Sequence, residues 1–298
     1  MTGASSGVLP DGYAELLQQA NLSYRILQGQ EKDQVILNVL RRIDAGDLSP
    51  SGEARRDDWE KGWRENLERF TESRYDLDAL IPKFIRPKPL VRLRQEYAET
   101  AHPRFEWNFF QIFRRWLFTS WFAEVDSIYE FGCGPGYNFV ALHEMYPDKQ
   151  LYGLDWAQSA VDLVNLLART HGMKLEGRRF DFFAPDEDLH LEPNSGVLTI
   201  CALEQTGRRF ERFLDYLMQQ KPRVVVQMEP AVEWYDPENL VDYLAIRYHR
   251  ARGYLEGFYP RLVELASQGR IQILHQRRPQ FGSLFHEGYS FVAWRPVV

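Results

Sequence analysis

The sequence predicts an α/β protein: a doubly wound, mostly parallel sheet preceded by an N-terminal helical region. Three observations carry that expectation. From residue 126 onward, short apolar β-rich runs alternate with helical stretches, the pattern of a parallel sheet with crossover helices. A glycine-rich turn, GCGPG at 132–136, separates the first such run from the helix after it. The first 125 residues instead carry apolar positions three and four apart, the helical period.

The N-terminal region reads as follows. Residues 12–28 and 33–44 have helical periodicity, and residues 46–57 form a polar break. Residues 58–73 make an amphipathic helix with Trp59, Trp63, Leu67 and Phe70 on one face. The following RYDLDALIPKFIRPKPL contains Pro82, Pro87 and Pro89 and predicts an extended crossing segment. Residues 104–125 place aromatics on nearly every side, so this helix is expected to be buried over most of its surface, and Asn108, Gln111 and Arg114 must then find partners.

The second region runs from 126 to 298. SIYEF, QLYGLDW, GRRFDFF, GVLTICALE and RVVVQME read as successive strands with helices between them. A helical insertion occupies about 237–268, with a break expected near Gly253 or Pro260. IQILHQRR and YSFVAWRPV form a terminal hairpin around an intervening loop.

Composition narrows the function. The 298 residues are 44% apolar, with a net charge of −6 and mixed signs, which disfavours a general nucleic-acid surface. The basic spots Arg114–Arg115 and Arg277–Arg278 are short. Two cysteines, Cys133 and Cys201, make no disulfide framework, so a reducing compartment is expected. The opening MTGASSGVLPDG lacks the features of a secretory signal, and no apolar run is long enough to span a membrane. A cytoplasmic protein is expected.

The glycine loop points to a ligand. A strand, glycine turn and helix in succession bring backbone N–H groups and a helix N-terminus towards it. Asp155 ends the second strand, nineteen residues beyond Gly136, where a carboxylate suits a ribose diol. Trp156 can lie against an adenine face. Asp181, at the end of the third strand, can accept from an exocyclic amine while the Phe182 N–H meets a ring nitrogen. Asp155 also suits a helix cap, and Trp156 also suits plain packing.

YEFGCGPG with Asp155 and Asp181 resembles the class I S-adenosylmethionine-dependent methyltransferases. Their first motif, an acidic residue, one spacer and then G-x-G-x-G, is matched by Glu130, Gly132, Gly134 and Gly136. The resemblance covers about 126–298. It implies a seven-stranded sheet, S-adenosyl-L-methionine as cofactor, and the helical region as a lid or substrate-binding part. It further implies that Glu130 supports the loop and the donor's amino group, Asp155 holds the ribose, Asp181 and Phe182 the adenine, and that Leu203, Glu204 and Gln205 lie near the sulfonium. A nicotinamide dehydrogenase shares the architecture, but its loop is G-x-G-x-x-G; here the third glycine comes one residue earlier. A non-catalytic binding module on the same scaffold is the other alternative.

For the methyl acceptor, His286, Glu204 and Glu229 are the candidate catalytic groups. Glu204 and Glu229 lack the further spacing of a metal site. The insertion and FGSLFHEGYSFVAW look like methyltransferases of surface-polysaccharide or sugar-nucleotide pathways, which implies a small-molecule or carbohydrate acceptor. Oligomeric state is left open.

Overall fold

The computed structural model describes residues 13–82, 85 and 87–297. The opening MTGASSGVLPDG and residues 83, 84 and 86 of the proline-bearing crossing lie outside them. The N-terminal half contains α1 (Tyr13–Gln19), β1 (Tyr24–Ile26), α2 (Gly29–Asp44), α3 (Arg56–Glu72), β2 (Leu90–Leu93), β3 (Glu96–Thr100) and α4 (Phe105–Phe122). Then follow β4 (Ser127–Phe131), α5 (Tyr137–Met145), β5 (Gln150–Asp155), α6 (Gln158–His171) and β6 (Leu175–Arg179). The chain continues through β7 (Ser195–Ile200), α7 (Glu211–Gln220), β8 (Val224–Met228), α8 (Leu240–Arg252) and α9 (Phe258–Ser267), and ends with β9 (Ile271–Arg277), β10 (Phe281–Gly282) and β11 (Phe291–Pro296).

The main sheet has seven strands in the order β6-β5-β4-β7-β8-β11-β9. The pairings from β6 through β8 are parallel, and β11 runs antiparallel to both of its neighbours. This is the doubly wound, mostly parallel sheet that the alternation predicts, closed by the expected terminal hairpin. Its middle strands are buried along their whole length, as continuous apolar runs covered on both faces must be. One face packs under α4, α5 and α6 and the other under α7 and α9, giving two apolar clusters. Outward winding to both sides of β4 puts the strand ends β4, β5 and β7 around one crevice, where ligands of such sheets bind.

The N-terminal half departs from the all-helical expectation. The helix expected over 12–28 ends at Gln19, and Tyr24–Ile26 instead pairs with Ala98–Thr100. Asn21, in the left-handed region at φ 38°, separates the two. β2 and β3 form a hairpin whose turn residues Arg94 and Gln95 both have positive φ, 53° and 61°. Such a turn ordinarily uses Asn or Gly, so nothing local announces it. β10 completes a four-stranded antiparallel sheet, β1-β3-β2-β10. The loop of the terminal hairpin thus leaves the large sheet to join the small one.

Other elements follow the sequence closely. The 237–268 stretch is two helices. α8 stops at Gly253, whose φ of 62° ends the helix. Pro260 falls in the first turn of α9, where a missing N–H breaks no bond. On α4, Asn108 donates to the Ala20 carbonyl (2.5 Å), and Arg114 donates to Gln111 (2.6 Å), the Tyr137 carbonyl (3.1 Å) and Asn138 (3.2 Å). Of the basic spots, Arg115 pairs with Glu144 and Arg278 with Asp242 and Glu287. Arg92, 1% exposed, completes that last cluster through Asp242 at 2.6 Å; a buried cation left unpaired there would be costly.

Candidate active site

The glycine loop begins where β4 ends. Gly132, Gly134 and Gly136 all have positive φ, at 72°, 52° and 74°, a conformation that L side chains rarely adopt. Each is bare for a different reason. A Cβ on Gly132 would lie 2.3 Å from the Ala202 Cβ, beyond the neighbouring β7. One on Gly134 would meet the Trp63 ring at 2.8 Å, and one on Gly136 would meet Val164 of α6 at 3.0 Å. Gly132 and Gly134 line a cavity of about 370 Å³. Gly136 does not line it; it caps α5 and lets α6 pack close.

Glu130 is 2% exposed. Its Oε1 accepts from Asn138 Nδ2 at 2.6 Å, while Oε2 is buried with no protein partner beside the cavity. Burial, partly offset by Asn138 and Arg114, pushes its pKa up to about 8. Asp155 accepts from the Gly134 N–H (2.9 Å) and from the Ala157 N–H (2.9 Å). It therefore ties the glycine loop to the start of α6. Burial raises its pKa to about 6 against those backbone bonds.

A second crevice, of about 60 Å³, adjoins the first and is lined by Gly132, Asp155, Trp156, Phe182, Phe183 and the Trp59–Trp63 pair. Trp156 stacks on Phe183 with ring centroids 6.0 Å apart, and the Arg56 guanidinium lies 4.8 Å from the Trp156 ring. Asp181 accepts from the Phe183 N–H at 2.9 Å and pairs with Arg56. The amphipathic face expected on 58–73 covers this crevice. Trp59 and Trp63 stack at 5.4 Å, and Glu60 receives Ser159 of α6. The helix and its face were readable in the sequence; the surface that it covers was not.

The 370 Å³ cavity is also lined by Glu204, Gln205, Tyr248, Arg252, Tyr254 and His286. Glu204 Oε1 accepts from Gln205 at 2.9 Å; Glu204 Oε2, Gln205 Oε1 and His286 Nδ1 are buried without protein partners. Burial and then the nearby Glu229 raise the Glu204 pKa to about 8. Burial, followed by the charges of Arg92, Lys88 and Arg252, lowers that of His286 to about 3, so its imidazole is neutral. The approach of Gly282 fixes where His286 sits, since a Cβ on that glycine would fall 2.2 Å from the His286 carbonyl oxygen.

Four of the candidates, Gly136, Asp181, Leu203 and Glu229, line neither the cavity nor the crevice beside it. Glu229 holds the backbone N–H groups of Ala202 (3.2 Å) and Glu204 (3.1 Å), so its carboxylate braces the loop after β7 instead of facing the cavity. Leu203 is fully buried in the apolar cluster on the α7 side. Among the described residues no group of three or more His, Cys, Asp or Glu side chains is placed to hold a metal ion, and no helix is long and apolar enough to cross a membrane.

No family model matches this chain, and no curated protein matches it. Among solved structures, the chain is similar to the N,N-8-amino-8-demethyl-D-riboflavin dimethyltransferase of Streptomyces davawensis. The two share 14% identity and a TM-score of 0.45, over 65% of this chain and 56% of that one. It is also similar to an S-adenosylmethionine-dependent methyltransferase of Aquifex aeolicus (12% identity, TM-score 0.44, 62% of this chain and 89% of that one). A third is the geranyl diphosphate C-methyltransferase of Streptomyces coelicolor A3(2) (11% identity, TM-score 0.45, 66% and 87%). The match spans little more than half the length of the first of these. The strand order, with its single antiparallel strand, is that of a doubly wound, Rossmann-like α/β sheet.

Proposed function

We propose that this chain is an S-adenosylmethionine-dependent methyltransferase acting on a small molecule or a glycan, with a sugar hydroxyl as the acceptor. The observation that carries the reading is the free, buried Glu130 Oε2 beside the bare Gly132–Gly134 backbone, in one cavity with the unpartnered atoms of Glu204 and His286. Buried polar atoms nearly always have partners. A site ringed by several without them is shaped for a polar ligand.

The residues fit the donor. Glu130 Oε2 suits its ammonium group, Asp155 its ribose, and Trp156 with Phe182 its adenine. Asp181 lines neither crevice nor cavity and is engaged by Arg56, so its part in adenine recognition requires that pair to open. When bound, the donor supplies an electrophilic methyl group on a sulfonium. The chain's task is then to align an acceptor oxygen and remove its proton. Glu204 is the better base, because a pKa near neutrality is what proton abstraction at pH 7 favours, whereas His286 at about 3 is a weak acceptor. His286 serves to orient the acceptor by a hydrogen bond. The residues N-terminal to 126 act as the cap over the donor, and residues 126–298 as the α/β domain that binds it.

Calorimetry with S-adenosylhomocysteine tests the reading. The wild-type protein should bind it and Asp155→Ala should bind it far more weakly, and labelled methyl should pass from the donor to a sugar panel. A folded protein that ignores the compound, or binds NAD in its place, ends the proposal. Donor binding without transfer to any small molecule would leave a binding module.

A further inference from the structure

We propose that the methyl acceptor carries an acidic group, a carboxylate or a phosphate on its ring, and that Arg252 receives it. The inference rests on the methyltransferase reading for the word acceptor, but its observations concern Arg252 and its neighbours alone.

Arg252 is the last residue of α8 and lines the 370 Å³ cavity. Its backbone is fixed: the Ser51 N–H donates to the Arg252 carbonyl at 2.7 Å, and Ser51 Oγ to the Gly253 carbonyl at 2.5 Å. Its guanidinium lies 5.0 Å from the Tyr254 ring and donates to the Tyr254 hydroxyl at 3.0 Å. Its Nε is buried with no hydrogen-bond partner. Among the described residues no carboxylate lies within ion-pair distance of it. Its neighbours differ: Arg247 pairs with Asp44 at 2.6 Å and Arg250 with Glu256 at 3.8 Å. The two other cations of the cavity wall also have partners, Arg55 with Asp58 at 3.4 Å and Lys88 with Glu106 at 3.2 Å.

The acids of the wall do not neutralise Arg252. Glu106 is taken by Lys88 and by the Tyr289 hydroxyl (3.2 Å). Glu204 makes no ion pair with Arg252, and its Oε1 accepts from Gln205 at 2.9 Å. Arg252 is half-buried, and its buried Nε is a donor left unpaired, which is costly. A planar fork of donors is the natural match for the oxygens of a carboxylate or phosphate. Arg252 shares the cavity wall with Glu204, Tyr248, Tyr254 and His286. Tyr248 and Tyr254, with ring centroids 6.1 Å apart, offer apolar faces beside the cation for the body of a ring compound.

Saturation-transfer NMR on the full chain, with S-adenosylhomocysteine present, tests this with three probes: D-glucuronate, glucose 1-phosphate and D-glucose. The acids should bind at least about tenfold more tightly than glucose, the scale of one charge-assisted contact. Arg252→Gln should abolish the difference, Arg252→Lys should retain part of it, and Arg250→Gln should leave it unchanged. Acids bound no better than glucose, or a preference that survives Arg252→Gln in a folded protein, overturns the proposal. The two readings fail separately. Loss of S-adenosylhomocysteine binding with the acid preference intact removes the donor and leaves the anion site; donor binding without the preference does the reverse.

Discussion

At the glycine-loop end of the cavity the wall is mostly main chain. Residues 130–136 turn under three positive φ angles, and Asp155 ties the turn to the next strand. Elsewhere the wall is side chain: Arg55 ahead of α3, Tyr248 and Arg252 of α8, Tyr254 just beyond it, and His286 from the loop before β11. The first end owes its shape to one short stretch of backbone. The second is assembled from segments far apart in the chain. What the contrast teaches is that donor chemistry can be held constant by one turn, while acceptor chemistry can be rewritten by substitutions that never touch that turn.

The largest effect expected from this division is in catalysis. Glu204→Gln should lower turnover by about 10²- to 10⁴-fold, the usual contribution of a general base, and leave S-adenosylhomocysteine affinity in place. An equal loss of both in calorimetry and a methyl-transfer assay would erase the distinction between the ends. Next comes Gly132→Ala. The added methyl must displace Ala202 from 2.3 Å at a φ of 72°, so a stability loss of about 1–3 kcal/mol by urea unfolding is expected, together with a large loss of donor affinity. Asp155→Asn should cost the donor site about 1.5–3 kcal/mol, the worth of hydrogen bonds to a charged group, without moving the glucuronate preference.

The remaining effect expected is a dependence of stability on pH. Glu130 and Glu204 have folded pKa values raised by burial from 4.5 to about 8. Between those values the folded state holds protons that the unfolded chain has released, so the stability of the ligand-free protein falls as pH rises through that window. Urea midpoints measured across it should decline, and Glu130→Gln should flatten the slope. A midpoint that climbs over the same range would contradict the burial of these acids.

Much of the donor end was legible because it depends on local backbone chemistry. The positive φ of Gly132 and Gly134 belongs to the strand–turn–helix pattern itself, although the Ala202 and Trp63 that crowd them do not. Gly136 was equally visible, yet its purpose is helix packing, which only α6 reveals. Glu229 stands at the end of a strand, as an active-site acid would, and no sequence signal shows that its oxygens are occupied by the N–H groups of residues 202 and 204. The β2–β3 turn at Arg94–Gln95 carries no Gly or Asn, so nothing in the sequence announces that hairpin. Arg252 looked like any basic residue near the end of a helix. What marks it is a missing partner, and that is a property of three-dimensional neighbours.

Phe281–Gly282 stitches the two sheets together, because the strands on either side of it belong to the large sheet while it completes the small one. A fragment starting at residue 126 would therefore lose more than a cover. It would lack the strand that anchors the His286 segment, and Arg278, Asp242 and Glu287 would lose Arg92 from their buried cluster. Severing the chain at that point and producing the pieces separately should yield insoluble material from each, whereas co-production should let them re-form one particle.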